Sequence, residues 1–186
     1  AQLRSVCSRY YTQDGTLVYT GNKDELVTIF SHHNLITFDN FKGIAPADQG
    51  VARLGADAFL ALLARYPNVI LWVNGHTHCN RIWSHFDPRD EGHGIWEINT
   101  AAHIDYPQQS RTIEIVDNAD GTLSIFAVVI DHSSPEAIIR HDAQTQASLA
   151  ALSLELAMND PALDRGFRMG APEDQNVELI INKPFN

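Results

Sequence analysis

Four histidines in the sequence stand just after apolar, strand-like segments. His32 and His33 follow one such segment, and His76 and His78 follow another. The neutral imidazole ring offers a lone pair at physiological pH, which makes histidine a common ligand for zinc, iron, manganese and nickel. Because the carboxyl ends of neighbouring parallel strands meet at one edge of a sheet, we expect the two groups to lie together. The sequence therefore predicts a metal site.

The spacing within each group limits how its rings reach an ion. In an extended segment, His76 and His78 point to the same side, where they bind one ion or bridge two. Gly75 removes a side chain where the backbone must turn close to the site. Adjacent side chains at a strand end point apart, so only one of His32 and His33 easily reaches the same ion, and the other orients a ligand or contacts substrate. The alternative is that these are ordinary surface or hydrogen-bonded core histidines.

The elements that position the histidines are predicted from apolar periodicity. Residues 26–30 and 69–73 are short apolar runs typical of buried strands. Residues 52–66 carry apolar side chains at helical spacing, and Pro67 ends that helix. Such a strand, helix and strand make a right-handed crossover if the two strands are parallel neighbours. Both histidine groups then emerge at the same edge of the sheet.

The remainder of the chain is predicted to be rich in strands. Residues 118–121 supply the turn of a hairpin. Residues 1–25 form a lead-in hairpin or irregular segment with a turn at Asp14 and Gly15. Further strands are expected at residues 81–83, 94–98, 112–116, 123–130 and 177–181.

A last helix is predicted over residues 143–158. Leu149, Leu152 and Leu156 form a stripe on this helix, which we expect to pack on the core. The chain then divides into a lead-in segment at 1–25, a core at 26–142, and a carboxyl-terminal helix and strand packing on that core at 143–186.

Composition excludes several classes of function. The 186 residues are 44% hydrophobic, enough for a sizeable core, and carry a formal net charge of −10. That charge repels phosphate backbones and anionic lipid, so neither general nucleic-acid binding nor membrane binding is expected. No run approaches the roughly 20 apolar residues of a membrane span, and the first residues lack the order of a signal peptide. Two cysteines make no disulfide framework, so the compartment stays open.

The histidine motifs carry a resemblance to a known superfamily. Residues 30–33 (FSHH) followed by 74–78 (NGHTH) are similar to the last two sequence blocks of the calcineurin-like metallophosphoesterases. The similarity covers about residues 26–131, and residues 94–132 further resemble a bacterial subgroup of uncertain substrate. The resemblance implies an α/β fold, with this chain forming the carboxyl-terminal half of a four-layer α/β/β/α sandwich.

The resemblance also implies a set of ligands and cofactors. By position, His32 and His76 would bind one metal ion and His78 its neighbour, while His33 would lie in the second shell. The two ions would be divalent or trivalent manganese, iron or zinc. They would activate water to hydrolyse a phosphoric ester, as in a phosphatase or phosphodiesterase acting on a small phosphoester or a nucleotide.

The sequence departs from the family pattern in its acidic motifs. The Asp-x-His, Gly-Asp-x-x-Asp and Gly-Asn-His blocks, which supply the bridging carboxylate and the catalytic histidine, do not occur here. No catalytic residue is therefore identified in this chain. We expect an incomplete active site whose missing ligands come from an amino-terminal half of the same protein, the partner that would also cover the open edge of the sheet.

Four further residues are candidates for lining a substrate pocket. Asn34, Asp39 and Asn40 follow the first histidine group, and His103 lies beyond another predicted strand end. Loop residues of this kind are also often merely solvated.

Two other functions remain open alongside a phosphoric ester hydrolase. One is a mononuclear zinc hydrolase or lyase of another fold, with His32, His76 and His78 around one ion and an open position for water. The other is a non-catalytic interaction or regulatory domain that retains a remnant of the site.

Overall fold

The protein is a mixed α/β fold built from three sheets and few helices. The computed structural model describes residues 2–38, 50, 53–87, 89, 92–132, 145–161 and 168–185. The helices with both ends among these residues are α1 (Gln2–Ser5), α2 (Ala56–Leu63) and α3 (Gln146–Asn159), with 3-10 turns at Leu35–Thr37 and Pro172–Asp174. The strands are β1 (Arg9–Tyr11), β2 (Leu17–Tyr19), β3 (Val27–Phe30), β4 (Val69–Asn74), β5 (Arg81–Phe86), β6 (Gly94–Asn99), β7 (Ser110–Asp117), β8 (Thr122–Ile130) and β9 (Val177–Asn182).

The central sheet has four strands in the order β3-β4-β6-β5. Strands β3 and β4 are parallel neighbours, which is the condition that the sequence analysis set for a shared edge, and β6 runs parallel to β4 on its other side. Strand β5 pairs antiparallel with β6 at the edge. The carboxyl ends of β3, β4 and β6 therefore lie at one edge of this sheet, which positions the candidate site.

The second sheet is antiparallel, in the order β7-β8-β9. Strands β7 and β8 form the predicted hairpin, with Asp117 opposite Leu123 at its closed end. Ala119 and Gly121 adopt positive φ angles of 59° and 93° in the turn, which gives the chain the reversal that a tight hairpin needs. Strands β1 and β2 form a separate small hairpin around Gly15, within the predicted lead-in segment.

Two hydrophobic clusters hold the layers together. The first packs the central sheet against the second sheet through Leu71 and Ile98 on one side and Leu123 and Ile125 on the other. The second packs Trp72 and neighbouring residues of the central sheet with residues from α2 and the lead-in hairpin. Each cluster removes several large aliphatic or aromatic side chains from water, which favours the layered arrangement.

Helix α2 is shorter than the sequence predicts. Residues 52–66 have helical apolar spacing, but the helix begins after Gly55, whose extended backbone (ψ 175°) makes the amino-terminal cap. After Leu63 the chain tightens, and the amide of Tyr66 donates to the carbonyl of Leu63 before Pro67. Apolar periodicity continues through such a tight turn, which explains why the sequence predicts a later carboxyl end for this helix.

The predicted packing face of α3 is wrong. Leu149 and Leu156 are 51% and 62% exposed, whereas Leu154 is 5% exposed. The buried face consists of Ser148, Ala151, Leu154 and Ala157. Small side chains allow this face to approach Tyr106 and Met169 closely, so the helix buries its smaller residues rather than its leucine stripe. Residues 143 and 144 of the predicted helix lie outside the described residues.

Within the described ranges, none of the helices has both the length and the apolar character that crossing a bilayer requires.

Candidate metal centre

The two histidine groups meet at the predicted sheet edge. His32 and His33 follow β3, and His76 follows β4 by two residues. The amide of Gly75 donates to the carbonyl of His32 over 3.1 Å, which ties the two connecting segments together directly beyond the strands. The parallel pairing of β3 and β4 therefore brings side chains 44 residues apart into contact.

Three imidazoles converge there. Nδ1 of His76 lies 3.0 Å from Nε2 of His32, and the ring centroids of His33 and His76 are 4.0 Å apart. One ring nitrogen from each of these three residues lies within 4.8 Å of the other two, and all three side chains are exposed. Nitrogens around one tetrahedral zinc ion are about 3.3 Å apart. The His32–His76 distance is close to this spacing, so the three histidines could hold a single ion with one coordination position left open.

His33 reaches the group although adjacent side chains on a strand point apart. Strand β3 ends at Phe30, and residues 32 and 33 lie in a bend beyond it. Strand alternation no longer applies there, so the rings of His32 and His33 both approach His76, in an edge contact of 5.2 Å with each other. The structure thus puts His33, expected in the second shell, beside His32 as a possible ligand.

His78 does not join this group. It pairs instead with a carboxylate, with its Nδ1 atom 2.9 Å from Oδ2 of Asp105. Arg168 donates to the same Oδ2 and holds the carboxylate in place. A histidine whose Nδ1–H is bound to a carboxylate keeps Nε2 free to coordinate, and metal-binding histidines commonly have such a partner.

The backbone explains why His76 and His78 point differently. Both residues are in the left-handed region, with φ angles of 70° and 55°. An extended segment would put them on one side, but this turn separates them. Gly75, in contrast, has no positive φ, and a Cβ atom at that position would meet only ordinary contacts at 3.9 Å or more. The turn is therefore made by the histidines rather than by the glycine.

Two groups at the site have altered proton affinity. Loss of solvent around the ring, followed by repulsion from the rings of His33, His32 and His78, lowers the pKa of His76 below its ordinary value. Burial alone raises the pKa of Asp105, but the hydrogen bonds from His78 and Arg168 and the charges of both outweigh it, so the pKa of this carboxyl is lowered. Both shifts favour a neutral His76 and an ionised Asp105 at neutral pH.

The predicted pocket residues have different surroundings. Asn34 is fully buried, and its Nδ2 atom donates to Oδ1 of Asn99 over 2.9 Å and to the hydroxyl of Thr77 over 3.2 Å. This places Asn34 beneath the histidines, where it connects their two segments. His103 is exposed and pairs with the hydroxyl of Ser110 at 2.7 Å, apart from the three-histidine group. Asp39 and Asn40 lie outside the described residues.

Asp105 is a site residue that the sequence interpretation missed. It stands in the segment between β6 and β7, 27 residues after His78. No short motif surrounds it, and its pairing arises only because the chain returns past the end of β6. The one available signal was its position beyond a strand end on the same side of the sheet as the histidines.

The donors among the described residues fit one ion more directly than two. The three-histidine group includes no carboxylate, the ligand type that bridges paired ions and offsets their charge.

Neither the known protein-family models nor the curated proteins provide a match to this chain.

Proposed function

We propose that this chain supplies metal-binding histidines to a metal-dependent phosphoric ester hydrolase of the calcineurin-like metallophosphoesterase type. The single observation that carries the proposal is the convergence of His32, His33 and His76 beyond two parallel strands, with Nδ1 of His76 and Nε2 of His32 only 3.0 Å apart. The proposal includes the four-layer sandwich and a dinuclear centre of manganese, iron or zinc completed by an amino-terminal half.

The charge of the donors supports an anionic substrate. Three neutral imidazoles leave the charge of a bound cation uncompensated, which attracts a phosphoric ester locally in a protein of net charge −10. When bound, the ion supplies Lewis-acid stabilisation of the phosphoryl oxygens and lowers the pKa of a bound water. The exposure of His32, His33 and His76 leaves room for substrate beside them.

His78 would bind the second ion, and Asp105 would orient its ring. Asp105 holds the Nδ1 proton of His78 and fixes the orientation of the ring, so Nε2 is the atom available to a second ion. Arg168 keeps Asp105 ionised. The carboxylates that a second ion also needs would come from outside the described residues.

A mononuclear zinc hydrolase is the second candidate function. It is favoured by one observation, namely that the described residues contain three histidines around a single position with no carboxylate among them. Three protein ligands and one open position are typical of catalytic zinc. In this mononuclear site, His33 takes the ligand position that the sequence analysis gave to His78.

Counting bound metal tests both candidates. We expect the purified chain to bind one equivalent of zinc or manganese in a titration, and His32→Ala to lose it, while His103→Ala serves as a matched histidine control. In the full encoded protein, two ions and metal-dependent hydrolysis of 4-nitrophenyl phosphate or its diester would support the dinuclear enzyme. One ion with hydrolysis would support the mononuclear one. Absence of metal binding by the full encoded protein would leave the interaction domain as the better interpretation.

A further inference from the structure

We infer that Glu97 is a positioning residue of the histidine site, holding in register the two segments that carry the metal-binding rings. The inference rests on the proposed function insofar as those rings bind metal. Glu97 lies on β6, the strand beside β4, and its side chain is fully buried. It touches no metal-binding ring itself and acts through the backbone and an amide side chain.

One oxygen of Glu97 joins both segments. Oε1 accepts from the backbone amide of Leu35 over 2.9 Å and from Nδ2 of Asn74 over 2.7 Å. Leu35 comes two residues after His33, and Asn74 two residues before His76. Loss of Oε1 would therefore remove a hydrogen bond from the segment that carries His32 and His33 and one from the segment that carries His76.

Burial raises the free-energy cost of losing the two hydrogen bonds that Oε1 accepts. A buried carboxylate is tolerated only where donors surround it, and the second oxygen of Glu97 lies 2.7 Å from Nε2 of His85. Removing the carboxylate would leave the part-buried Leu35 amide and the buried amide group of Asn74 without this acceptor. The segments would then shift to find other partners.

A second link lies two residues along the same strand. Residues 97 and 99 of β6 face the same side of the sheet, and Asn99 donates from Nδ2 to the hydroxyl of Thr77 over 2.8 Å. Oδ1 of Asn99 accepts from Asn34. Asn34 follows His33, and Thr77 follows His76. Strand β6 is therefore hydrogen-bonded to the same two segments through Glu97 and again through Asn99.

The test compares substitutions of two buried carboxylates. Glu97→Ala removes both hydrogen bonds that Oε1 accepts, and Glu97→Gln keeps an oxygen at the position of Oε1. Asp174→Ala is the matched control for Glu97→Ala, because Asp174 is also buried and accepts from the amides of Ile82 and Ala171, over 2.8 Å and 3.0 Å. Among the described residues, the hydrogen-bond donors to this carboxylate lie outside the segments that carry His32, His33 and His76.

Two readouts separate positioning from general stability. The first is the nuclear Overhauser effect between the rings of His32 and His76 in the metal-free protein, and the second is zinc affinity by calorimetry. We expect Glu97→Ala to lose the ring contact and to bind zinc about tenfold more weakly, with Glu97→Gln within about threefold of wild type. Asp174→Ala should lower the melting temperature while retaining the ring contact and the zinc affinity.

Several results would overturn the inference. These are an unchanged ring contact and zinc affinity in Glu97→Ala, equal losses in Asp174→Ala, or a Glu97→Gln protein that behaves like Glu97→Ala. If Glu97→Ala does not fold, Asn74→Leu removes one donor to Oε1 and is expected to lose the ring contact; its retention would contradict the inference. A full encoded protein that binds no zinc would refute the proposed function, while the metal-free ring contact still decides the role of Glu97.

Discussion

The Nδ1 atom of His78 lies 2.9 Å from Oδ2 of Asp105, a residue 27 positions further along the chain. This contact crosses from the segment after β4 to the segment after β6. It gives His78 a fixed partner on one ring nitrogen and separates it from the three-histidine group. The site therefore has two parts with different chemistry, the three-histidine group and the His78–Asp105 pair.

Replacing Asp105 should change the proton position on His78. In Asp105→Ala, the acceptor that holds a proton on Nδ1 is gone, so we expect the Nε2–H tautomer to become populated. Long-range 15N–1H spectra of the histidine rings measure this directly. His103, which pairs with Ser110, is an internal reference in the same spectrum. An unchanged tautomer of His78 would show that Asp105 does not orient the ring.

The relative importance of His33 and His78 distinguishes the two arrangements of ligands. Because His33 lies within the three-histidine group and His78 does not, His33→Ala should weaken binding of the first zinc ion at least about tenfold and His78→Ala much less. Isothermal titration calorimetry gives both affinities. The opposite order would favour the ligand set implied by the family resemblance, with His78 as a ligand and His33 behind it.

The pKa of His76 should lie below its ordinary value of 6.5. Loss of solvent and the neighbouring imidazoles disfavour the protonated ring in the folded protein, so the unfolded chain takes up this proton more readily. The stabilising contribution of the group is therefore complete above pH 6.5 and falls as the pH drops through the folded-state pKa. An NMR titration of the ring protons measures the midpoint.

His33→Ala provides the control for that titration. It removes one neighbouring imidazole, so the midpoint of His76 should rise toward 6.5. A midpoint at or above 6.5 in the metal-free wild-type protein would contradict the crowded arrangement of the rings.

The corrected packing face of α3 predicts unequal effects of two leucines. Leu154 is 5% exposed, so Leu154→Ala should lower the free energy of unfolding by about 2 to 5 kcal/mol. Leu156 is 62% exposed, so Leu156→Ala should change the free energy by no more than about 0.5 kcal/mol. Urea denaturation of both variants measures the difference. Equal losses would support the leucine stripe as the buried face.

Much of the fold follows from local patterns in the sequence. The apolar runs before His32 and before His76 predict β3 and β4, and the helix between them is compatible with the parallel pairing that the structure shows. The β7 and β8 hairpin follows from the turn at residues 118–121. These elements are predictable because their signals lie within a few neighbouring residues.

The details of the site depend on contacts that no local pattern contains. His33 joins the group because β3 ends before it, and strand ends are the least certain feature of a periodicity argument. Asp105 and Glu97 meet their partners across strands, so their roles appear only once the strand order β3-β4-β6 is known. For α3, hydrophobicity alone favours the leucine stripe, whereas close approach to Tyr106 favours the smaller side chains.

The left-handed backbone at His76 and His78 implies a trade-off between folding and binding. Non-glycine residues in this conformation cost on the order of 1 kcal/mol each, a strain that glycine would relieve. Glycine at either position would delete an imidazole, and at position 78 it would also remove the contact with Asp105. The turn thus keeps both rings at a cost in stability, and the buried side-chain amide of Asn99 supports it by donating to the Thr77 hydroxyl and to the Cys79 carbonyl.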